Sequence, residues 1–480
     1  MLKILQWRKI RQAMADGIPP DELVNEHVNV MISNPFAIGV LKRRKAVRFL
    51  LQHQDVLKKQ KLGQWLDAGL ELGVGQVVKT LLALGHAYIL SRKESSLPSE
   101  QILFPTHISG QKIWSSLPGW KGRLYQLLRV ADEVYTRLNQ VIGTSEYSRQ
   151  VRRETWSACF GRELDKSIIL FPILREQNVL IRGETGTGKE MIAQALLAGI
   201  SIGGSRAPKV SADMSTIPKD LAESRLFGHK KGAFTGANHD LMGHLPQAHE
   251  GGLFLDEVGD IDYSVQPKLL RAMEQKEVQP LGSEKWEKAD VRFIAATSKN
   301  IEDTLDQNMG FRSDLYYRLK GVEIKMPPLR ERTDDIKVIG TAYLEEISKN
   351  AREKTGFDFS LFEQQSEEVL DFLESQAVQT YHWPGNVREL KGEIRNLLLG
   401  LPTGAVGKSR RLVKQESKSV AVPKDIGSGQ ADLKRVEAWY IQKILQKFDG
   451  NKSQAAKSLG VHRDTLGRKL SEGSNREIKQ

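Results

Sequence analysis

Apolar residues recur at helical spacing from Val47 to Leu57 and from Leu124 to Val141, so residues 1 to about 150 read as mostly helical. From Asn178 the pattern changes: a short apolar run, Val179 to Arg182, leads into a glycine-rich turn and then a helix. Further apolar runs at Gly252 to Leu255 and Val291 to Ala295 are separated by helical stretches. That alternation predicts an α/β domain, a parallel sheet covered by helices. A mainly helical stretch follows from about Asp334 to Leu399. Between Leu401 and Gln430, glycine, serine, proline and basic residues replace the periodicity, which reads as a flexible linker, and a compact helical unit runs from Ala431 to Glu472.

The 480 residues exceed what one hydrophobic core holds, so at least three domains are expected. The most apolar stretch, Trp65 to Leu90, is broken by Asp67, Glu71 and Lys79, so no membrane partner is expected. Nothing near the N-terminus resembles a signal peptide, and Cys159 is the single cysteine. Both facts lead to a cytoplasmic expectation. The net charge is +12, and residues 401–480 hold 17 Lys/Arg against 8 Asp/Glu. A basic end of this kind suits double-stranded DNA, although a solvated tail would look the same. Leu41 to Lys61, with eight Lys/Arg and one Asp, fits either a partner surface or a solvated helix face.

Gly183, Glu184, Thr185, Gly186, Thr187, Gly188, Lys189 and Glu190 match the phosphate-binding loop pattern, directly after a strand and before a helix. The glycines turn backbone amides toward phosphate, and Lys189 reaches the β- and γ-phosphates of ATP. Glu190 stands where a magnesium-binding hydroxyl is usual, so Mg2+ depends on a second acidic motif. That motif is Leu253-Phe-Leu-Asp-Glu257. Asp256 would hold the metal and Glu257 would polarise the attacking water.

The hexapeptide Gly232, Ala233, Phe234, Thr235, Gly236, Ala237 offers an exposed aromatic between glycines, a pattern suited to a mobile interaction loop. With it, the stretch from about Glu154 to Gly400 resembles the AAA+ domain of bacterial enhancer-binding proteins, the activators of sigma-54 RNA polymerase. The resemblance also rests on GGLFLDEVGDI (251–261), FRSDLYYRL (311–319), PPLRER (327–332) and WPGNVREL (383–390). It makes Glu190 a family trait and implies that Phe234 and Thr235 touch sigma-54. By the same resemblance, Arg312 and Arg318 reach a neighbouring subunit's ATP site, Thr297 is a sensor residue, and Arg388 is the sensor arginine of the lid. The family implies a homo-oligomer, a hexamer. Two positions depart from it. Asp213 stands where an Asn normally holds the catalytic glutamate inactive, and Ser298 replaces a sensor Asn.

Ala438 to Leu470 reads as a helix-turn-helix, with Ala455, Ala456 and Leu459 packed on Leu466, and it resembles the Fis-like domain of the same activators. Arg463, Thr465, Arg468 and Lys469 are its outward-facing candidates for DNA contact. The expected organisation is an N-terminal regulatory domain (1–152), an α/β nucleotide-binding subdomain (153–325), a helical lid (326–400), a linker (401–430) and an all-α DNA-binding domain (431–480). The first of these shows no phospho-receiver pattern. Two other readings stay open: a DNA-binding regulator that has lost remodelling, and an AAA+ remodeller of another target.

Overall fold

The computed structural model describes residues 21–58, 62, 70–91, 119–203, 207–307, 310–355, 363–401, 432–447 and 451–474. The chain divides into two units, Met1–Pro402 and Thr403–Gln480. In the first unit, α1 (Asp21–Ile32), α2 (Val40–Gln52), α3 (Leu70–Ser91), α4 (Trp120–Asn139) and α5 (Glu146–Phe160) precede the sheet. They confirm the helical reading of this part. Ser145 caps α5 by accepting from the Ser148 amide at 3.2 Å.

Five parallel strands follow: β1 (Val179–Arg182), β2 (Lys209–Asp213), β3 (Gly252–Asp256), β4 (Arg292–Thr297) and β5 (Val322–Lys325), in the spatial order β2-β3-β4-β1-β5. Side-chain alternation sorts them onto two cores. Val179, Ile181, Phe254, Ile294 and Ala296 face the same core as α4 and α6 (Lys189–Gly199), whereas Leu180, Leu253, Leu255, Phe293 and Ala295 face the other. The pairing places Arg182 beside Thr297 and Asp213 beside Asp256, so the polar residues gather at the carboxyl ends of the strands. In an open α/β sheet this is the edge where ligands bind.

The lid contains α7 (Asp334–Thr355), α8 (Glu363–Glu374) and α9 (Asn386–Leu398). Its first turn is tied to the start of α5 through one buried carboxylate. Asp335 accepts from the Thr144 and Ser145 amides at 2.6 and 2.7 Å, and from the Ser145 and Ser148 hydroxyls at 2.7 and 2.6 Å. α5 also spans residue 152, where the sequence suggests a domain boundary.

The second unit holds α10 (Leu433–Lys447), α11 (Lys452–Leu459) and α12 (Arg463–Ser474), closed over Ile441, Ala455, Ala456 and Leu466 with Leu459 against them. This is the packing expected of the helix-turn-helix. Gly460 makes its turn at φ 69°. The expected linker lies outside the described residues, apart from Leu401. No helix among the described residues is long and apolar enough to cross a membrane.

Burial pushes the Asp335 carboxyl up, but its four hydrogen bonds outweigh burial and hold it below the usual carboxylate range. Asp335 therefore contributes stability that is present above its unfolded pKa and is lost as pH falls through its lower folded value. Asp335→Ala should cost about 3 kcal/mol or more, since it leaves four donors unmatched beside buried Arg332. Urea unfolding of the full chain should show that loss at pH 7, and a smaller one at pH 3.

Candidate functional site

The turn after β1 is held from below: the Gly183 amide donates to the Thr297 carbonyl at 3.2 Å. Gly186 and Gly188 have φ values of 81° and 103°, a region that side chains disfavour, so the sharp turn depends on glycine here. Lys189 opens α6 and is 7% exposed; its Nζ donates to the Gly183 carbonyl at 2.9 Å and lies 3.3 Å from Glu257 Oε1. The Thr187 hydroxyl donates to the Glu184 carbonyl at 2.7 Å, while Thr185 and Glu190 are exposed on the loop surface. Together, Thr185 to Met191, Asp256, Glu257 and Arg388 line a pocket of about 260 Å3.

Three carboxylates meet at the strand ends. Burial raises the Asp256 pKa; the Glu257 amide, donating to its Oδ1 at 3.0 Å, opposes that shift, and the Glu257 and Asp213 charges add to it. Asp213 turns to its own loop, where Oδ1 accepts from the Ser215 amide at 3.0 Å and hydroxyl at 2.7 Å. Glu257 adopts a left-handed backbone, φ 47°, unusual for a residue with a side chain. Its Oε2 accepts from both the amide and the hydroxyl of Ser298 at 2.8 Å. The shorter serine at the sensor position thus still reaches the glutamate. Thr297 is buried beneath the loop, where its hydroxyl accepts from the Lys299 amide at 3.1 Å.

The lid is pinned to the same loop. Buried Asn386 accepts from the Leu329 amide at 2.7 Å and donates to Glu184 Oε2 and the Thr185 carbonyl, both at 3.1 Å. Arg330 grips Glu184 with two bonds of 2.9 and 2.6 Å, and Arg332 donates to the Thr187 carbonyl at 3.0 Å. Arg388 is exposed and stands against Gly186. Arg312 is paired with Asp314 through two bonds of 3.1 and 2.7 Å, and exposed Arg318 reaches the Met273 carbonyl at 3.5 Å. Neither arginine lines the chain's own pocket.

The hexapeptide sits at the tip of a hairpin whose two-residue strands are Gly228–His229 and Leu241–Met242. Gly232 and Gly236 have positive φ, and the Gly232 amide closes the tip on the Ala237 carbonyl at 2.9 Å. Thr235 is exposed, Ala233 half-buried and Ala237 buried. The expected exposure of Phe234 needs correction: it is half-buried, with its ring edge-on to His229 at 5.0 Å. In α12, Arg463 and Arg468 are exposed as expected, but Thr465 and Lys469 are half-buried, and Lys469 is ion-paired with Glu437 of α10.

Family models match three parts of the chain. The Sigma-54 interaction domain family matches residues 168–325, the AAA+ ATPase lid domain residues 330–410, and the bacterial regulatory protein Fis family residues 432–473. The transcriptional regulatory protein ZraR of Klebsiella oxytoca is 37% identical over 350 residues, which cover 71% of this chain and 75% of ZraR. The chain belongs to the sigma-54-dependent activator family. The hydrogenase transcriptional regulatory protein HoxA of Cupriavidus necator is 39% identical over 303 residues, covering 61% of this chain and 59% of HoxA, so the match spans less than two thirds of that relative. A crystal structure of NtrX from Brucella abortus aligns at 26% identity and a TM-score of 0.43, over 76% of this chain and 75% of NtrX.

Sequence reasoning did not assign Gln140, Val141 and Ile142, which line the pocket, nor Arg330, Arg332 and Asn386, which brace its loop. The PPLRER and WPGNVREL motifs were the available signal for the last three. A Cβ on Gly186 would enter the Gly385 carbonyl oxygen. Gly186→Ala should therefore part the lid from the loop and weaken binding of a fluorescent ADP analogue at least tenfold, a loss of about 1.4 kcal/mol. An affinity near wild type would show that this contact is dispensable.

Proposed function

We propose that the chain is an ATP-driven transcription activator. An oligomer, a hexamer by family resemblance, hydrolyses ATP to remodel sigma-54 RNA polymerase holoenzyme, while the C-terminal helix-turn-helix holds it on double-stranded DNA. The observation that carries this reading is an intact GAFTGA tip on the same α/β unit as the Lys189–Glu257 pair. Gly183 to Glu190 would cradle the phosphates, and Glu257 would orient and deprotonate the attacking water. Arg312 and Arg318 lie outside the chain's own pocket, which suits arginines that complete a neighbour's site. Thr297 and Arg388 would relay nucleotide state to the strand end and the lid.

The carboxylate of Asp256 is a hard oxygen donor that suits Mg2+, whereas Asp213 is bonded within its own turn and Glu257 to Lys189 and Ser298, so Asp256 would hold the ion together with the phosphates. When bound, magnesium would neutralise phosphate charge. Phe234 and Thr235 would touch sigma-54, and Arg463, Thr465, Arg468 and Lys469 would touch DNA, the last after leaving Glu437. The divisions at residues 325, 400 and 430 serve as the working boundaries, the one at 152 gives way to the continuous helix α5, and a cytoplasmic location fits the role.

Ser298 has two bonds on Glu257 and Asp213 has none, which favours Ser298 as the group that restrains the glutamate. The same observation supports a second reading, a DNA-binding regulator whose glutamate never leaves Ser298. Glu257→Gln should bind ATP and barely hydrolyse it. Ser298→Ala should raise basal hydrolysis, by up to about tenfold if one charged hydrogen bond near 1.5 kcal/mol is lost. A fall instead would make Ser298 part of the catalytic machinery.

Thr235→Ala separates chemistry from coupling. It should hydrolyse ATP near the wild-type rate yet fail to capture sigma-54 in the presence of a transition-state analogue, and fail to form open complexes. Retained open-complex formation would count against remodelling, and absence of capture by the wild type would favour the second reading.

A further inference from the structure

The basic run after Leu41 forms one wall of a groove. Helices α2, α3 and α4 enclose about 590 Å3 of open space there, a volume in the range of small-molecule sites. Arg43, Arg44 and Arg48 line it, against the single carboxylate of Asp132. Arg43 is fixed in place: Nη1 donates to the Pro35 carbonyl at 2.8 Å, and its guanidinium lies 5.7 Å from the centre of the Tyr135 ring. Arg44 and Arg48 are exposed, and neither has an ion-pair or hydrogen-bond partner among the described residues. Val47, Ile89 and Leu90 supply an apolar wall between these charges.

We propose that this groove is a binding site for a small aliphatic dicarboxylate, and that its occupancy is coupled to the nucleotide pocket. Three guanidiniums against one carboxylate leave two positive charges, which a dianion balances. Arg44 and Arg48 are four residues apart on α2, so their stems stand about 6 Å apart on one face. Two carboxylates on a chain of about five or six carbons match that spacing, each in a planar donor fork, with methylenes on the apolar wall.

Coupling has two physical routes. Asn139 closes α4 and lines the groove, and the next three residues, Gln140, Val141 and Ile142, line the nucleotide pocket. The second route runs through side chains. The Tyr135 ring stacks on Phe36 at 5.5 Å, and Phe36 lies 5.9 Å from the guanidinium of Arg152. Arg152 in turn donates to the carbonyls of Val141 at 2.6 Å and Gly143 at 2.9 Å. A ligand that shifts Tyr135 or Asn139 thus acts on the backbone that walls the nucleotide pocket, and linkage makes the effect reciprocal. The coupling rests on the nucleotide reading above; the groove does not.

The test is calorimetric titration of the full chain with glutarate and adipate, with adipamide and inorganic phosphate as controls. Saturable binding of one diacid per chain is expected, with none for adipamide and weaker binding for phosphate. The double variant Arg44→Ala/Arg48→Ala should bind at least tenfold more weakly. At saturating adipate the Kd for ADP should change several-fold, and Arg152→Met or Phe36→Leu should keep adipate binding while losing that change. Absence of diacid binding, or undiminished binding by the double variant, would overturn the site. So would binding of poly-glutamate or duplex DNA through these arginines without any for adipate. An ADP affinity unmoved by adipate would overturn the coupling, whereas a chain that binds adipate but not ADP would fail the nucleotide reading and leave the site standing.

Discussion

Two backbones meet where the phosphate loop runs under the lid. Gly186 and Gly385 approach so closely that no side chain fits between them, and the Val387 amide closes the contact by donating to the Gly186 carbonyl at 3.1 Å. Much of the site follows from this approach. The loop can be left-handed at Gly186 because glycine stands there, and the Gly385 carbonyl can approach it because Gly186 carries no Cβ. Asn386, Arg330 and Arg332 then satisfy carbonyls and a carboxylate that the loop turns away from the phosphate side. The pocket is therefore a seam between several chain segments, not a hollow in one. A shift of the lid alters the loop directly, without an intervening linker.

The strand ends set a second constraint, one of charge. Register places Asp213 beside Asp256, and Glu257 follows, so three carboxylates share one edge with a single buried lysine. Like charges at such spacing repel unless each is separately occupied. The structure separates them by partner: Asp213 on its Ser215 turn, Asp256 on the Glu257 amide, and Glu257 between Lys189 and Ser298. An acid at position 213 is thus accommodated by turning it away, and Glu257 takes its bonds from Ser298 at the end of the next strand.

The part of this architecture that is local in sequence is legible in the sequence itself. The phosphate loop, the acidic strand end and the helix-turn-helix each depend on residues within a few turns of one another, and their strands and helices fall where periodicity puts them. The two departures, Asp213 and Ser298, were visible as residues, but their new bonding was not, because it depends on side-chain directions across strands. Phe234 shows the same limit. Its glycine neighbours suggest full exposure, yet His229, five residues earlier on the first strand of the hairpin, sets its ring against the Phe234 ring. Lys469 reads as a free basic position until α10 brings Glu437 to it. The pocket wall at Gln140 to Ile142 lies some forty residues before the loop it faces, and nothing periodic marks it.

That wall bears on how the N-terminal helices relate to the nucleotide core. α4 packs along α6, the helix that begins with Lys189, and Leu124, Leu127, Leu128 and Ala131 share one buried cluster with Ala193, Leu196 and Leu197. α5 lies against α6 too, with Cys159 so close to Gly199 that a larger residue at 199 would collide with the sulfur. Burial lifts the Cys159 thiol to about 12, which keeps it protonated and inert as a packing element. An interior this dense transmits displacement, since a helix cannot move without its neighbours losing contact. Residues 119–160 are therefore structurally part of the nucleotide-binding body, and whatever acts on α4 acts on the helix that carries Lys189.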